Sequence, residues 1–105
     1  MAKKVLGQVN PGATTATTLY TVPADLSAVS STLTVCNQGA TGSYRIAVRP
    51  AGATLDPKHY VAYDCGLAAT STDPWTIGIA LAATDVVTVY ASHANFSFCL
   101  FGDES

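Results

Sequence analysis

The sequence predicts an all-β protein, and three observations carry this prediction. Apolar residues alternate with small or polar ones along most of the chain, which is the period of a strand whose side chains point to opposite faces in turn. β-Branched residues fill these runs, and they are poor choices for a helix interior. Turn-forming groups such as Asn10-Pro11-Gly12 separate the runs. Together these features indicate one antiparallel β-sandwich domain over residues 1–105, for which a jelly roll is one arrangement.

About eight short strands are predicted, with turns between them. In chain order they cover residues 3–9, 15–22, 27–37, 42–49, 58–65, 74–81, 85–92 and 95–101. No segment favours a helix beyond a turn near residues 24–27.

The first two predicted strands leave two interpretations open. The stretch from Gly12 to Thr18 is small, uncharged and compatible with β-structure, and a Lys-Lys pair precedes it. Residues 1–18 are therefore either an extended N-terminal arm that crosses a neighbouring subunit or an edge strand of the same sandwich. The candidate contact residues of such an arm are Thr14, Thr15, Thr17 and Thr18.

The central predicted strands have one apolar face each. In 27–37 the apolar positions include Leu33 and Val35, and in 42–49 they are Tyr44, Ile46 and Val48. A second face of small residues recurs, and it suits close packing of a second sheet or subunit. Its members include Thr32, Thr34, Gly78 and Ala80.

The predicted strand 58–65 carries the densest group of reactive side chains. Alternation places His59, Val61, Tyr63 and Cys65 on one face, with Tyr60 and Asp64 on the other. His59 and Cys65 would then lie about 20 Å apart along the strand, too far for a Cys–His catalytic pair. Tyrosines on a half-buried strand are ordinary, so this group predicts no active site.

The last predicted strand is unusually apolar. Phe96, Phe98 and Leu100 share one face and are expected in the core, whereas Phe101 lies on the opposite face and is the candidate subunit contact. The turn after residue 91 is expected to pair this strand with 85–91 as a hairpin. Gly102 is expected to end the strand and return the following acidic residues to water.

Composition excludes several classes of function. Charged residues make up only 11% of the chain and the net charge is −2, which does not favour nucleic acid or an anionic membrane as a partner. No signal peptide or membrane-spanning run is recognisable, so synthesis in the cytoplasm is expected. The cysteines Cys36, Cys65 and Cys99 are odd in number and widely spaced, which predicts free buried thiols. No catalytic, cofactor-binding or metal-binding residues are predicted, and the chain is not expected to be an enzyme.

Six segments distributed over nearly the whole chain together resemble a recurrent type of small virion protein of tailed bacteriophages. They are LYTVPA (19–24), VCNQG (35–39), YRIAVRPAG (44–52), KHYVAYD (58–64), LAATDVVTVYAS (81–92) and FSFCLFGDES (96–105). The resemblance implies a structural component of a virus particle that contacts other virion proteins, namely the major capsid protein or tail proteins. It carries no active site.

Three classes of function remain at this point. The first is a virion accessory protein, most concretely a head decoration (cement) protein that forms a trimer over capsid subunits, with a tail, baseplate or fibre attachment protein as its rival. The second is a carbohydrate-binding sandwich that uses Trp75 and the tyrosines as a stacking platform, although Trp75 alternates in phase with the apolar Ile77 and Ile79. The third is an enzyme, for which the sequence offers no polar constellation.

Overall fold

The computed structural model describes residues 2–105 and contains nine strands in this range. In chain order the strands are β1 (Ala2–Val9), β2 (Thr17–Thr21), β3 (Ala28–Asn37), β4 (Gly42–Arg49), β5 (Tyr60–Leu67), β6 (Thr72–Trp75), β7 (Ala80–Leu81), β8 (Val86–Ala91) and β9 (Phe96–Glu104). A short 3₁₀ turn, Pro57–His59, precedes β5. Within the described range, no helix is long and apolar enough to cross a membrane.

The strands form two antiparallel sheets that pack face to face. Sheet A has the order β1-β9-β3-β6, with β7 also paired to β3, and sheet B has the order β2-β8-β4-β5. Each of the first four strands pairs with a strand from the later part of the chain, and these pairs are nested: β1 pairs with β9, β2 with β8, β3 with β6 and β7, and β4 with β5. This nested pairing is the topology of a jelly roll, and it confirms the predicted all-β sandwich.

The core lies between the sheets, and the alternating residues of the inner faces fill it. Its largest fully buried side chains include Tyr44 and Ile46 from β4, Leu33 from β3, and Phe96 and Phe98 from β9. The tilted and edge-on contacts of Tyr44 with the two phenylalanines join sheet B to sheet A at centroid distances of 6.2 Å. The predicted core face of the last strand is therefore confirmed.

Two polar networks also tie the sheets together. The Tyr44 hydroxyl donates to Asp73 Oδ2 (2.8 Å) and accepts from Trp75 Nε1 (2.8 Å), and burial raises the pKa of Tyr44. At the other end of the sandwich Tyr20 donates to Glu104 Oε2 (2.5 Å), whose second oxygen contacts Lys4 Nζ at 2.6 Å. The hydrogen bond from Lys4, and to a smaller extent the one from Tyr20, lowers the pKa of Glu104. Each buried hydroxyl thus has a partner that offsets its desolvation.

The predicted strand 74–81 is interrupted. Thr72–Trp75 and Ala80–Leu81 both pair with β3, but residues 76–79 between them are not in a strand. The alternation persists through this segment, since Trp75 and Ile77 pack against the core and Ile79 is buried, whereas Gly78 is exposed. The Ser30 side chain bridges the interruption because its hydroxyl donates to Ile77 O and accepts from Ile79 N.

The expected hairpin between 85–91 and the last strand is wrong. β8 lies in sheet B, whereas β9 lies in sheet A between β1 and β3, so the short turn between them crosses from one sheet to the other. A turn sequence fixes a change of direction but does not fix which sheet receives the next strand. The last strand is held by β1 and β3 instead.

The expectation that Gly102 ends the strand is also wrong. β9 continues to Glu104, and backbone hydrogen bonds in both directions join Ser105 to Ser27. Gly102 is buried where β3 bulges, and a Cβ atom there would lie 2.3 Å from the Val29 carbonyl oxygen. The glycine therefore permits a close approach of two backbones within the strand rather than its end. Glu104 likewise does not return to water, since its side chain is only 10% exposed.

Candidate functional site

Phe101, the predicted subunit contact, lies on the outer face of sheet A. It is paired with Val5 of β1 on one side and with Thr32 of β3 on the other, so the three side chains form a row across the sheet. Phe101 is partly exposed, and 46% of Val5 is exposed. A large ring with an exposed apolar neighbour is available to a partner at this position.

The residues around Phe101 form the outer surface of sheet A, which we call the sheet A face. All its members but two are uncharged, and the two charged ones, Lys3 and Asp103, lie opposite each other in the row at one end. The uncharged members are Val5, Gln8, Val29, Thr32, Thr34, Cys36, Thr72, Pro74, Ala80, Ser97, Cys99 and Phe101. The predicted second face of small residues thus includes Thr32, Thr34 and Ala80, and it belongs to sheet A.

Two of the three cysteines lie on the sheet A face. Cys99 is paired with Thr34 and Cys36 with Ser97, so the two thiols are diagonal neighbours, and Gln8 Nε2 donates to Cys99 Sγ at 3.3 Å. All three cysteines are free and partly exposed. The expectation of fully buried thiols is therefore wrong: Cys36 and Cys99 point outward from sheet A, whereas Cys65 packs against the core.

The candidate arm residues lie at the start of β2 and in the loop that precedes it. β1 is an edge strand of sheet A and β2 is an edge strand of sheet B; Thr17 and Thr18 begin β2, and Thr14 and Thr15 lie in the connecting loop. Thr14 has a positive φ of 51° and its N–H donates to Ala91 O, which holds the loop against β8. Met1, the first residue of the predicted segment 1–18, lies outside the described residues.

The histidines are held by the backbone. His59 is buried in the 3₁₀ turn, where its Nδ1 accepts from Asp56 N at 3.0 Å and completes a capping box. His93 Nδ1 accepts from Asn95 N, so its Nε2, which lies 2.7 Å from Ala40 O, carries the proton. Among residues 2–105, no three His, Cys, Asp or Glu side chains come together as a metal-binding group.

The prediction of which β5 residues share a face is wrong, because the register of this strand shifts. The register of β5 against β4 shifts twice, once between Tyr60 and Ala62 and once between Ala62 and Cys65. Each shift inserts one extra residue, and Asp64 adopts a positive φ of 49° at the second. As a result Cys65 turns toward the core, while Tyr60 and Tyr63 both lie on the outer face of sheet B.

These bulges assemble an exposed aromatic group on sheet B, which we call the tyrosine cluster: Tyr60, Tyr63, Tyr90 and Arg45. The rings of Tyr60 and Tyr63 meet edge to face at 5.0 Å and 82°, and 57% of Tyr63 is exposed. The Arg45 guanidinium lies 4.2 Å from the centroids of both Tyr63 and Tyr90. The arginine thus stacks with two rings at once, an arrangement that the planar guanidinium favours.

Asp64 fixes the arginine of the cluster in place. Its Oδ1 accepts from Arg45 Nε at 2.6 Å and its Oδ2 accepts from a terminal guanidinium nitrogen at 3.4 Å. The hydrogen bond that Arg45 donates to Asp64 is the main cause that raises the pKa of Arg45, so the guanidinium stays charged at any ordinary pH. Trp75, which the carbohydrate-binding hypothesis had joined to the tyrosines, packs against the core beneath the other sheet and is not part of this surface.

Strict alternation could not find the tyrosine cluster, because it places Tyr60 and Tyr63 on opposite faces of one strand. The usable signal was Asp64, because aspartate tolerates left-handed backbone better than most residue types and can therefore mark a bulge.

Comparisons of the chain with protein-family models, with curated proteins and with solved structures give no significant match.

Proposed function

We propose that the protein is a non-catalytic structural component of a tailed-bacteriophage particle, most concretely a head decoration (cement) protein that docks on capsid subunits through the sheet A face. The observation that carries the proposal is the outer face of sheet A, where Phe101 lies between Val5 and Thr32 in the row next to the charged end. Only the row of Lys3 and Asp103 at one end bears charge. Loss of charge combined with an aromatic residue distinguishes the centre of a protein interface from ordinary surface.

The position of Phe101 strengthens this interpretation. Phe98 and Leu100 of the same strand face the core, whereas Phe101 points away from the core and contributes little to it. Aromatic anchors near the centre of a patch carry much of the binding free energy in protein interfaces. The fold is compatible with this role, because jelly rolls occur in viral capsid proteins. They also occur in lectins, so the fold alone does not decide between these functions.

The size of the face favours a multivalent complex. β1, β9 and β3 have eight, nine and ten residues, and the segment from β6 to β7 spans residues 72–81. Together they cover about 19 Å by about 30 Å, or about 570 Å² in projection. A stable two-body interface buries about 800 Å² per partner. One copy docked by this face alone is therefore expected to bind weakly, and a trimer that engages several capsid subunits at once would gain the missing affinity from avidity.

The mechanism is stabilisation by mass action. A protein that binds the assembled shell and not its separated subunits lowers the free energy of the assembled state by an amount that grows with its concentration. The alternative within the same class is a tail, baseplate or fibre attachment protein, which would use the same face against a different virion partner.

The test uses particles of the phage that encodes the chain, purified by density gradient and labelled with an antibody against it. We expect regular labelling over the head, and loss of that labelling when the particles are produced with Phe101→Glu, a variant that should fold like the parent. Thr21→Glu, an exposed site on β2 at the edge of the other sheet, is the matched control and should keep it. Labelling confined to the tail would replace the cement role by the attachment role, and absence of the chain from purified particles would overturn both.

A further inference from the structure

A groove adjoins the tyrosine cluster and lies on the opposite sheet from the sheet A face. It has a volume of about 590 Å³ and is lined by Leu55, Asp56, Pro57, Tyr60 and Tyr63. Its volume is in the range of small-molecule sites, and its walls combine apolar surface with a few polar groups, which is the usual composition of such sites.

The walls of the groove are held rigidly. Tyr60 and Tyr63 contact each other, and Tyr63 is also held by the stacked Arg45, which Asp64 anchors. Asp56 is fixed because its backbone and side chain cap the 3₁₀ turn with His59. A site whose side chains are already ordered loses little conformational entropy when a ligand arrives.

The polar groups of the groove are free to bind. Asp56 Oδ1 accepts from Lys58 N at 3.2 Å, but Oδ2 has no hydrogen bond within residues 2–105. The hydroxyls of Tyr60 and Tyr63 likewise have no hydrogen-bond partner in this range, in contrast to the hydroxyls of Tyr20 and Tyr44. The groove therefore offers one carboxylate acceptor and two hydroxyls that can donate or accept.

This combination selects the class of ligand. A pyranose ring presents a face of C–H groups, which packs on the electron-rich face of a tyrosine, and a rim of hydroxyls that both donate and accept. A proline-rich peptide also packs on tyrosines, but its backbone offers carbonyl acceptors and few donors, so Asp56 would face it without a partner. The Asp56 carboxylate in the wall of the groove disfavours an acidic sugar or a nucleic acid.

We infer that Tyr60, Tyr63 and Asp56 form a binding site for a neutral saccharide, separate from the surface proposed for capsid docking. The inference does not depend on the proposed virion role. It corrects the carbohydrate hypothesis drawn from the sequence, because the platform consists of strand β5 tyrosines on sheet B and does not include Trp75.

The test is a titration of the ¹⁵N-labelled protein, followed by NMR, with maltotriose, cellotriose and triacetylchitotriose, each to roughly 20 mM because affinities near 1 mM are expected. At least one sugar should shift the backbone resonances of residues 55–57 and of β5. Tyr63→Ala should weaken that binding roughly tenfold, since one stacking contact is lost. Tyr63→Phe should retain most of it.

The matched control is Val61→Ala, which changes an exposed residue of the same strand that does not line the groove and should bind like the parent. Thermal melts of each variant show that it is folded. The inference is overturned if none of the three sugars binds, if binding is unchanged by Tyr63→Ala, or if hexaproline shifts the same resonances at lower concentration than any sugar.

Discussion

Two phenylalanines three positions apart on β9 should respond in opposite ways to truncation. Phe98 is 1% exposed and packs edge-on against Tyr44, so Phe98→Ala removes a ring from the core and leaves a cavity. Such a change costs roughly 3–5 kcal/mol. With an unfolding entropy of roughly 2.1 cal/mol/K per residue, the 105 residues give about 0.22 kcal/mol/K. The melting temperature should therefore fall by about 14–23 °C.

Phe101→Ala tests the other side of the same strand. Its ring lies outside the core between Val5 and Thr32, and the loss of cross-strand contacts of this kind costs roughly 0.2–1 kcal/mol, or less than about 5 °C. The assays are thermal melts by circular dichroism and sedimentation velocity at micromolar concentration. We expect the parent to sediment as a trimer, and Phe101→Ala to sediment like the parent but to bind purified particles more weakly, because the sheet A face is the surface proposed for capsid docking. If Phe98→Ala melts like the parent while Phe101→Ala unfolds, the assignment of the two faces is refuted.

Three further changes probe the polar groups and the thiols. Glu104→Gln should lower the melting temperature at pH 7, because the folded protein holds the pKa of Glu104 below its ordinary value. The difference in melting temperature between parent and variant should be complete above about pH 5 and should shrink as the pH falls through about 4 and below. Melts over pH 3–7 that show a constant difference would contradict this. Tyr44→Phe should cost roughly 1–2 kcal/mol in urea unfolding, since the Asp73 carboxylate loses its donor; an unchanged midpoint would mean that water replaces the hydroxyl. Titration of the denatured, unreduced protein should find three thiols. Cys36 and Cys99 lie on the sheet A face, so they should react more slowly in the particle-bound protein than in the free protein; equal rates would exclude this face from the docking surface.

The sequence allowed the strands to be predicted because their residues alternate cleanly, and it allowed the two faces of β9 to be assigned because Phe96, Phe98 and Leu100 are all large and in phase. It did not allow the sheet of each strand to be predicted. The pairing of β8 with β2 and β4, and of β9 with β1 and β3, depends on contacts between residues far apart in the chain, which no local turn encodes.

One of the two candidate sites could be predicted from the sequence and the other could not. Phe101 could be predicted to point outward, because β9 itself alternates regularly; the bulge beside Phe101 lies in the neighbouring strand β3. The tyrosine cluster could not be predicted, because two bulges in β5 reverse the phase of the strand within a few residues. A bulge is decided by how a strand fits its neighbour, so a pattern read along one strand does not reveal it.

The place of β9 between β1 and β3 has a consequence for how the molecule forms during synthesis. β9 follows both of its partners in the chain, and its register pairs Ala2 with Glu104, so sheet A cannot close until nearly all of this domain has left the ribosome. Until then β1 has no sheet partner, and the inner face of β3 lacks Phe96, Phe98 and Leu100 to cover it. Pairings of such large sequence separation fold slowly, and their unpaired edges are prone to aggregate. β3 carries no charged residue and β1 carries only Lys3 and Lys4, so little charge protects these strands from aggregation. We therefore expect the nascent chain to need low temperature or chaperone help when it is overproduced.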